Sequence, residues 1–167
     1  MSKCICVVLA MLLGAVFLAQ PAYARDEAPP WLSQASQARP SGFGPEVGAV
    51  VLHREQYVSA GTSGNHDTVD RHAVRILNKD GRREAVALAF YLSKFSQVRD
   101  MEAWLISPGG EVTSYGKKSI IDQISDPDDI YDEGRLKIID ASRDADVGSV
   151  FGFTTTTEDR PLFYQDR

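Results

Sequence analysis

The chain has almost no cysteine: two in 167 residues, Cys4 and Cys6, both inside one apolar stretch at the amino terminus. It also lacks an excess of positive charge, with 18 Lys and Arg against 23 Asp and Glu. A phosphate backbone requires a cationic field that this balance does not supply, so no nucleic-acid partner is expected. Histidine is scarce, at three residues, and no Gly-x-Ser-x-Gly sequence occurs. What is present is the balance of a globular protein, 43% hydrophobic and 25% charged, in a length that fits one ordinary domain.

Residues 4–19 are apolar except for Gly14, follow Lys3, and lead into Gln20-Pro21-Ala22-Tyr23-Ala24. A basic start, an apolar run of this size and a small-x-small ending read as a secretory signal cut after Ala24. A retained anchor is disfavoured because 16 residues at about 1.5 Å each fall short of a hydrocarbon core about 30 Å thick. The cysteines stand at the start of the run rather than after it, which disfavours a lipoprotein. The expected product is periplasmic or secreted, has no membrane span, and carries 17 basic and 23 acidic residues, a net charge of −6. Both cysteines leave with the leader. The remainder has no disulfide and no thiol nucleophile, so its stability rests on a packed core.

Residues 25–48 hold four prolines and three glycines and read as a connector containing one short helix at Pro30-Trp31-Leu32-Ser33-Gln34-Ala35, where proline suits the first turn. From residue 49 onward, short runs of period two separated by turn residues predict strands. They fall at 49–60, 68–77, 86–92, 97–107, 111–115, 136–140 and 148–157. Asn78-Lys79-Asp80-Gly81 reads as a hairpin turn, since Asp-Gly supplies positive φ angles. In the third strand Val86, Leu88, Phe90 and Leu92 share one face and Ala85, Ala87 and Ala89 the other, which the alanines mark as partly covered too. Residues 117–124 read as one helical turn or irregular. The predicted class is all-β: an antiparallel β-sandwich over residues 49–167 with a short N-terminal helical or irregular segment.

Few constellations suggest chemistry. Ser114-Tyr115-Gly116-Lys117 matches Ser-x-x-Lys, but that motif must open a helix and its companion motifs are missing. Residues 110–118 fail the phosphate-loop pattern, with Gly116 one residue too far from Gly110 and Lys118 in place of Ser or Thr. His66 and His72 on one strand stand about 20 Å apart, and His53 adds at most one further imidazole, which reads as structural rather than zinc-binding. Asp126, Asp128, Asp129, Asp132 and Glu133 form an acidic run whose hard oxygens suit calcium, but Ile130 stands where a third EF-hand ligand belongs and no Gly follows it. No catalytic, cofactor or metal site is therefore expected, with those five carboxylates as weak calcium candidates.

The order of several short motifs resembles a known family. These are Trp31-Leu32 after prolines, Val51-Leu52, Val74-Arg75-Ile76-Leu77-Asn78 closing on Asp80-Gly81, Ala103-x-x-Ile106-Ser107-Pro108-x-Gly110 and Asp146-Val147-Gly148-Ser149-Val150-x-Gly152-Phe153. They resemble the uncharacterised β-sandwich domain found just upstream of transglutaminase-like domains in exported bacterial proteins. In that family the catalytic Cys, His and Asp belong to the downstream domain and have no counterpart here. The resemblance implies a non-catalytic module whose partner is a transglutaminase-like catalytic domain or another envelope protein. Two alternatives stay open: an N-terminal fragment of a thiol-dependent transglutaminase-like peptidase, and a stand-alone carbohydrate- or peptide-binding sandwich using Trp104, Tyr91 and Tyr115. Self-association through an open C-terminal edge near Phe163 is a further expectation. The expectation that the acidic run is a solvated loop is checked by thermal melting: millimolar calcium leaves the melting temperature unchanged, and a rise on addition overturns it.

Overall fold

The structure is a computed structural model that describes residues 27–61, 64–126 and 133–160. Strands form where side chains alternate with period two: β1 (Ala49–Ala60), β2 (His66–Ile76), β3 (Val86–Leu92), β4 (Ser96–Ile106), β5 (Val112–Tyr115), β6 (Ile121–Ile124), β7 (Gly134–Asp140) and β8 (Val150–Asp159). They make two sheets, β1-β2-β8-β4-β5 and β3-β7-β6, with every ladder antiparallel. The all-β sandwich expected from the sequence is thus present. Among the described residues no helix is long and apolar enough to cross a membrane; residues 4–19 and Phe163 lie outside them.

The main core lies between the sheets. The large sheet contributes Val74, Ile76, Met101, Leu105 and Phe151, and the small sheet contributes Ala87, Ala89 and Ile139, with Ala85 just before β3. Here the structure corrects the reading of β3. The alanine face is the buried one, with Ala85 and Ala87 at 0% exposure, while Leu88 and Phe90 face outward at 55% and 56%. Bulky residues on the large sheet already fill the space, so the facing strand reaches close packing with small ones.

A second cluster covers the outer face of the large sheet. Helix α1 (Pro30–Ala35) starts with proline in its first turn, which places the ring where the missing N–H has no intrahelical role. It sets fully buried Leu32 against Ala73 and Val150, with Trp31, Leu52 and Trp104 around it. Leu32 fits because β8 carries glycine below it: a Cβ on Gly152 would lie 2.5 Å from Leu32 Cδ1. Arg75 fastens the end of the helix, donating to the Ser36 carbonyl at 2.5 Å and the Gly148 carbonyl at 2.9 Å. The segment expected as a connector therefore also supplies the cover of one sheet.

Asn78-Lys79-Asp80-Gly81 does not close a hairpin. The chain passes there from the large sheet to the small one through a 3-10 turn, Lys79–Glu84, and Gly81 is absent from the positive-φ glycines. Gly81 is required for closeness instead, since a Cβ would meet the Gly48 carbonyl oxygen at 1.8 Å. Asn78 holds the crossing by accepting from Gly81 N–H and donating to the Pro45 carbonyl. Residues 117–124, read as a helical turn or irregular, divide into the 3-10 turn Lys117–Ser119 and β6. Strand β8 has β2 on one side and β4 on the other as far as Asp159, so it is an interior strand over its described length. The exposed edge β1 carries a bulge between Val51 and His53 and charges at Arg54 and Glu55, both devices that oppose strand addition.

Leu32→Ala should lower unfolding free energy by about 3 kcal/mol, within the range for emptying a buried leucine site, as read by urea denaturation. Gly152→Ala should destabilise the native chain yet be tolerated when combined with Leu32→Ala. Additive losses in that double variant would contradict the fit of one residue into the other.

Candidate functional site

The alternation that buries the alanines of β3 leaves one face of the small sheet without cover among the described residues. Antiparallel register places Leu88 opposite Ile138 and Phe90 opposite Leu136, and Ile121 opposite Ile138 on the other side. One apolar surface therefore runs across three strands, from Leu88 and Phe90 through β7 to Ile121, which is 56% exposed. Single exposed apolar residues are ordinary on a protein surface, whereas a contiguous set on one sheet face makes that face the candidate site. Sequence reasoning missed this surface because periodicity groups residues by face without saying which face is buried. The signal available was the run of three alternating alanines.

The polar side chains of the sandwich are engaged with one another. At its open end Arg135 Nε donates to Tyr91 Oη at 3.0 Å and to Asp122 Oδ1 at 2.9 Å, while Tyr91 Oη donates to Asp122 Oδ2 at 2.8 Å. Burial, then the hydrogen bond to Asp122, raises the Tyr91 pKa. Tyr115, buried at 9% exposure, donates to Asp144 Oδ2 at 2.7 Å, and burial ahead of that carboxylate pushes its pKa up. On β8, Glu158 is 8% exposed and its carboxylate accepts from Gln97 at 2.5 Å, Arg99 Nε at 3.0 Å and Asn65 at 3.2 Å. Arg99 Nη2 lies 2.7 Å from the other oxygen, which completes a bidentate pair. These donors, Gln97 first, hold the Glu158 pKa below its ordinary value. Each cluster is a closed set of donors and acceptors that ties strands together.

The sequence-predicted residues are dispersed. His53 stacks on Trp31 with ring centroids 5.3 Å apart, whereas His72 meets Phe153 edge-on at 5.6 Å. Burial, followed by the Arg54 charge, lowers the His72 pKa. Among the described residues no three His, Cys, Asp or Glu gather to hold a metal ion. Of the calcium candidates, Glu133 forms an ion pair with Lys94 and Asp126 follows β6, while Asp128, Asp129 and Asp132 lie outside the described residues. Ser114 stands on β5 opposite Trp104, so its Ser-x-x-Lys sequence does not open a helix. Trp104 packs in the cluster around Leu32 and Tyr115 is in the main core, with Tyr91 packed against it; none forms a free aromatic platform.

Comparison with known proteins gives a family and a fold. Residues 62–166 match the family model of DUF3857, a domain of unknown function with a solved structure. No curated protein matches the chain. The crystal structure of a putative protease from Parabacteroides distasonis ATCC 8503 superposes with a TM-score of 0.61 at 7% sequence identity, covering 71% of this chain and 24% of that one. At that identity the likeness is one of fold, and this chain spans about a quarter of the length of the solved relative.

The Glu158 cluster sets an acid dependence. Because the folded-state pKa is depressed, its contribution to stability is present above the unfolded carboxylate value, near pH 4.3, and is lost as pH falls through the lower folded value. Glu158→Gln should therefore be least stable relative to the native chain near neutral pH, and the gap should narrow on acidification below about pH 4.3 in urea midpoints. A gap that stays constant with pH would remove the carboxylate from this role.

Proposed function

The chain belongs to the DUF3857 family, and from that premise we propose that it works as an exported, non-catalytic interaction module accompanying a transglutaminase-like catalytic domain. The uncovered apolar face of the small sheet carries this reading. A sandwich that leaves Leu88, Phe90 and Ile121 more than half exposed on one continuous surface is built to be met by another protein surface. The placement of the module also fits. The solved relative named as a putative protease is far longer than the stretch this chain matches, as expected where a sandwich of this kind serves a separate catalytic unit.

The chemistry of the chain supports the division of labour. Cysteine occurs only at positions 4 and 6, within the proposed leader, so the exported part offers no thiolate for acyl transfer. The Tyr91–Asp122, Tyr115–Asp144 and Gln97–Glu158 groups are bound to one another. The role left to the module is to position or shield its catalytic partner through surface contact. An N-terminal leader at residues 1–24 delivers it to the periplasm or the exterior, where a disulfide-free core is stable without redox assistance.

The purified exported chain should show no turnover of peptide or ester substrates and no transamidation of a glutamine donor. Hydrolysis or cross-linking that is abolished by a point substitution within residues 25–167 would falsify the non-catalytic role. Amino-terminal sequencing of the exported product should begin at Arg25; a start at Met1 overturns the export reading.

A further inference from the structure

We infer that the free edge of β3 takes up an extended peptide segment from a partner, added as a fourth strand of the small sheet. The inference rests on the reading of this chain as an interaction module and names the mode of contact.

The phase of the β3–β7 ladder is fixed at both ends. Ala141 N–H donates to the Ala85 carbonyl and Ser93 N–H to the Glu133 carbonyl, and the register between them is unbroken. Ala87, Ala89 and Tyr91 therefore turn their backbone groups toward β7, while Val86, Leu88, Phe90 and Leu92 turn theirs away. At Leu92 the chain satisfies itself: the N–H donates to Ser96 Oγ at 2.8 Å and the carbonyl accepts from Phe95 N–H at 2.9 Å. Nothing among the described residues meets the outward N–H and carbonyl groups of Val86, Leu88 and Phe90. Exposed edges are ordinarily blunted. Strand β1 has its bulge and its charges, and β5 and β6 are only four residues long. Strand β3 offers seven residues with no charge, proline or bulge.

The large sheet provides a floor beside that edge. Strand β3 lies over β4 and β8, and β1 and β2 extend past it. On the core-facing side of this margin Arg54 stands opposite His72, Gln56 opposite Asp70 and Val58 opposite Thr68, with Arg54, Gln56 and Val58 all exposed. Two strands at a spacing of about 4.8 Å make a ledge about 10 Å wide. Beside the turn that leads into β3, the ledge holds a cavity of about 230 Å³ lined by Val51, His72, Val74 and Glu84. The ledge decides the occupant. A second copy pairing through its own β3 would bring an equal ledge into the same space, so two-fold pairing of the edges is blocked. A single extended segment fits, resting on the ledge and bonding to both backbone groups of three β3 residues. Alternation sets its chemistry. One set of its side chains joins Leu88 and Phe90 and is apolar. The other set faces the ledge, where Arg54 makes no ion pair among the described residues and selects a carboxylate.

The test uses the complete sequence expressed with its own leader and purified from the exported fraction. The probe is a seven-residue peptide, blocked at both ends, that alternates valine with threonine and carries one glutamate in a threonine position. Without it, amide exchange followed by NMR should be at least about 100-fold slower at Ala87 and Ala89 than at Leu88 and Phe90, since only the first pair donates within the ladder. Peptide at about 1 mM should slow Leu88 and Phe90 at least about tenfold, and the same peptide N-methylated at every residue should not. Leu88→Pro removes an N–H that the ladder does not use; it should keep a cooperative unfolding transition and lose the peptide's protection of Phe90. In Arg54→Glu a peptide with lysine in place of glutamate should protect more strongly than the original. Protection of Leu88 and Phe90 in the absence of peptide, no gain when it is added, equal protection by the N-methylated peptide, or a preference for glutamate that survives Arg54→Glu overturns the inference. The N-methylated control uses the native chain, so the test stands even where Leu88→Pro does not fold. None of these outcomes bears on the turnover assays that test the accessory role.

Discussion

Three alanines set the distance between the two sheets. Ala85, Ala87 and Ala89 press against a large-sheet face whose Phe151, Met101 and Leu105 are 1%, 2% and 5% exposed. Against those bulky side chains, close packing is reached with methyl groups on the facing strand. Strand geometry then determines the rest, because successive side chains point to opposite faces. With small residues turned inward, Leu88 and Phe90 must point out, and the apolar character of the outer surface follows from the packing of the inner one.

The large sheet solves the same problem differently. Its outer face would also be apolar at Ala73, Val150 and Trp104, but α1 lies over it and drives Leu32 into the space above Gly152. Arg75 donates to the carbonyls of Ser36 and Gly148 and so holds the helix from below. Three of the four sheet faces are thus covered wholly or in part by the chain itself: two by each other and one by its own N-terminal helix. The small sheet's outer face has no such cover among the described residues, and that asymmetry sets it apart from the other three.

Much of this was legible in the sequence, and the parts that were not share a physical cause. Periodicity located β1, β2, β3, β4, β5, β7 and β8 because alternation is a local property that survives any tertiary arrangement. The burial of the alanine face depends on the volume of residues more than ten positions away, such as Phe151, which no local pattern encodes. Asp80-Gly81 carries a strong hairpin signal, yet Gly48 approaches from a distant segment and turns the glycine to a different use. Four-residue β6 is too short for alternation to show.

The Tyr91–Asp122–Arg135 cluster explains why so small a sheet holds its shape. Strands β3 and β6 are not neighbours, since β7 runs between them. Tyr91 on β3 and Arg135 on β7 both bond to Asp122 on β6, so one carboxylate ties all three strands from beneath the exposed face. Lys137 adds a tie to the large sheet by donating to the Val98 carbonyl at 3.1 Å. Each bond is at least partly solvated and contributes little alone. Their value is geometric: β6 has only four residues in its ladder and would fray without an anchor at Asp122. A surface that binds through a few apolar side chains loses affinity for every strand that must be ordered on contact. Anchoring the edge strand in advance keeps Ile121 level with Leu88 and Phe90, so the polar network on one face of the small sheet preorganises the apolar surface on the other.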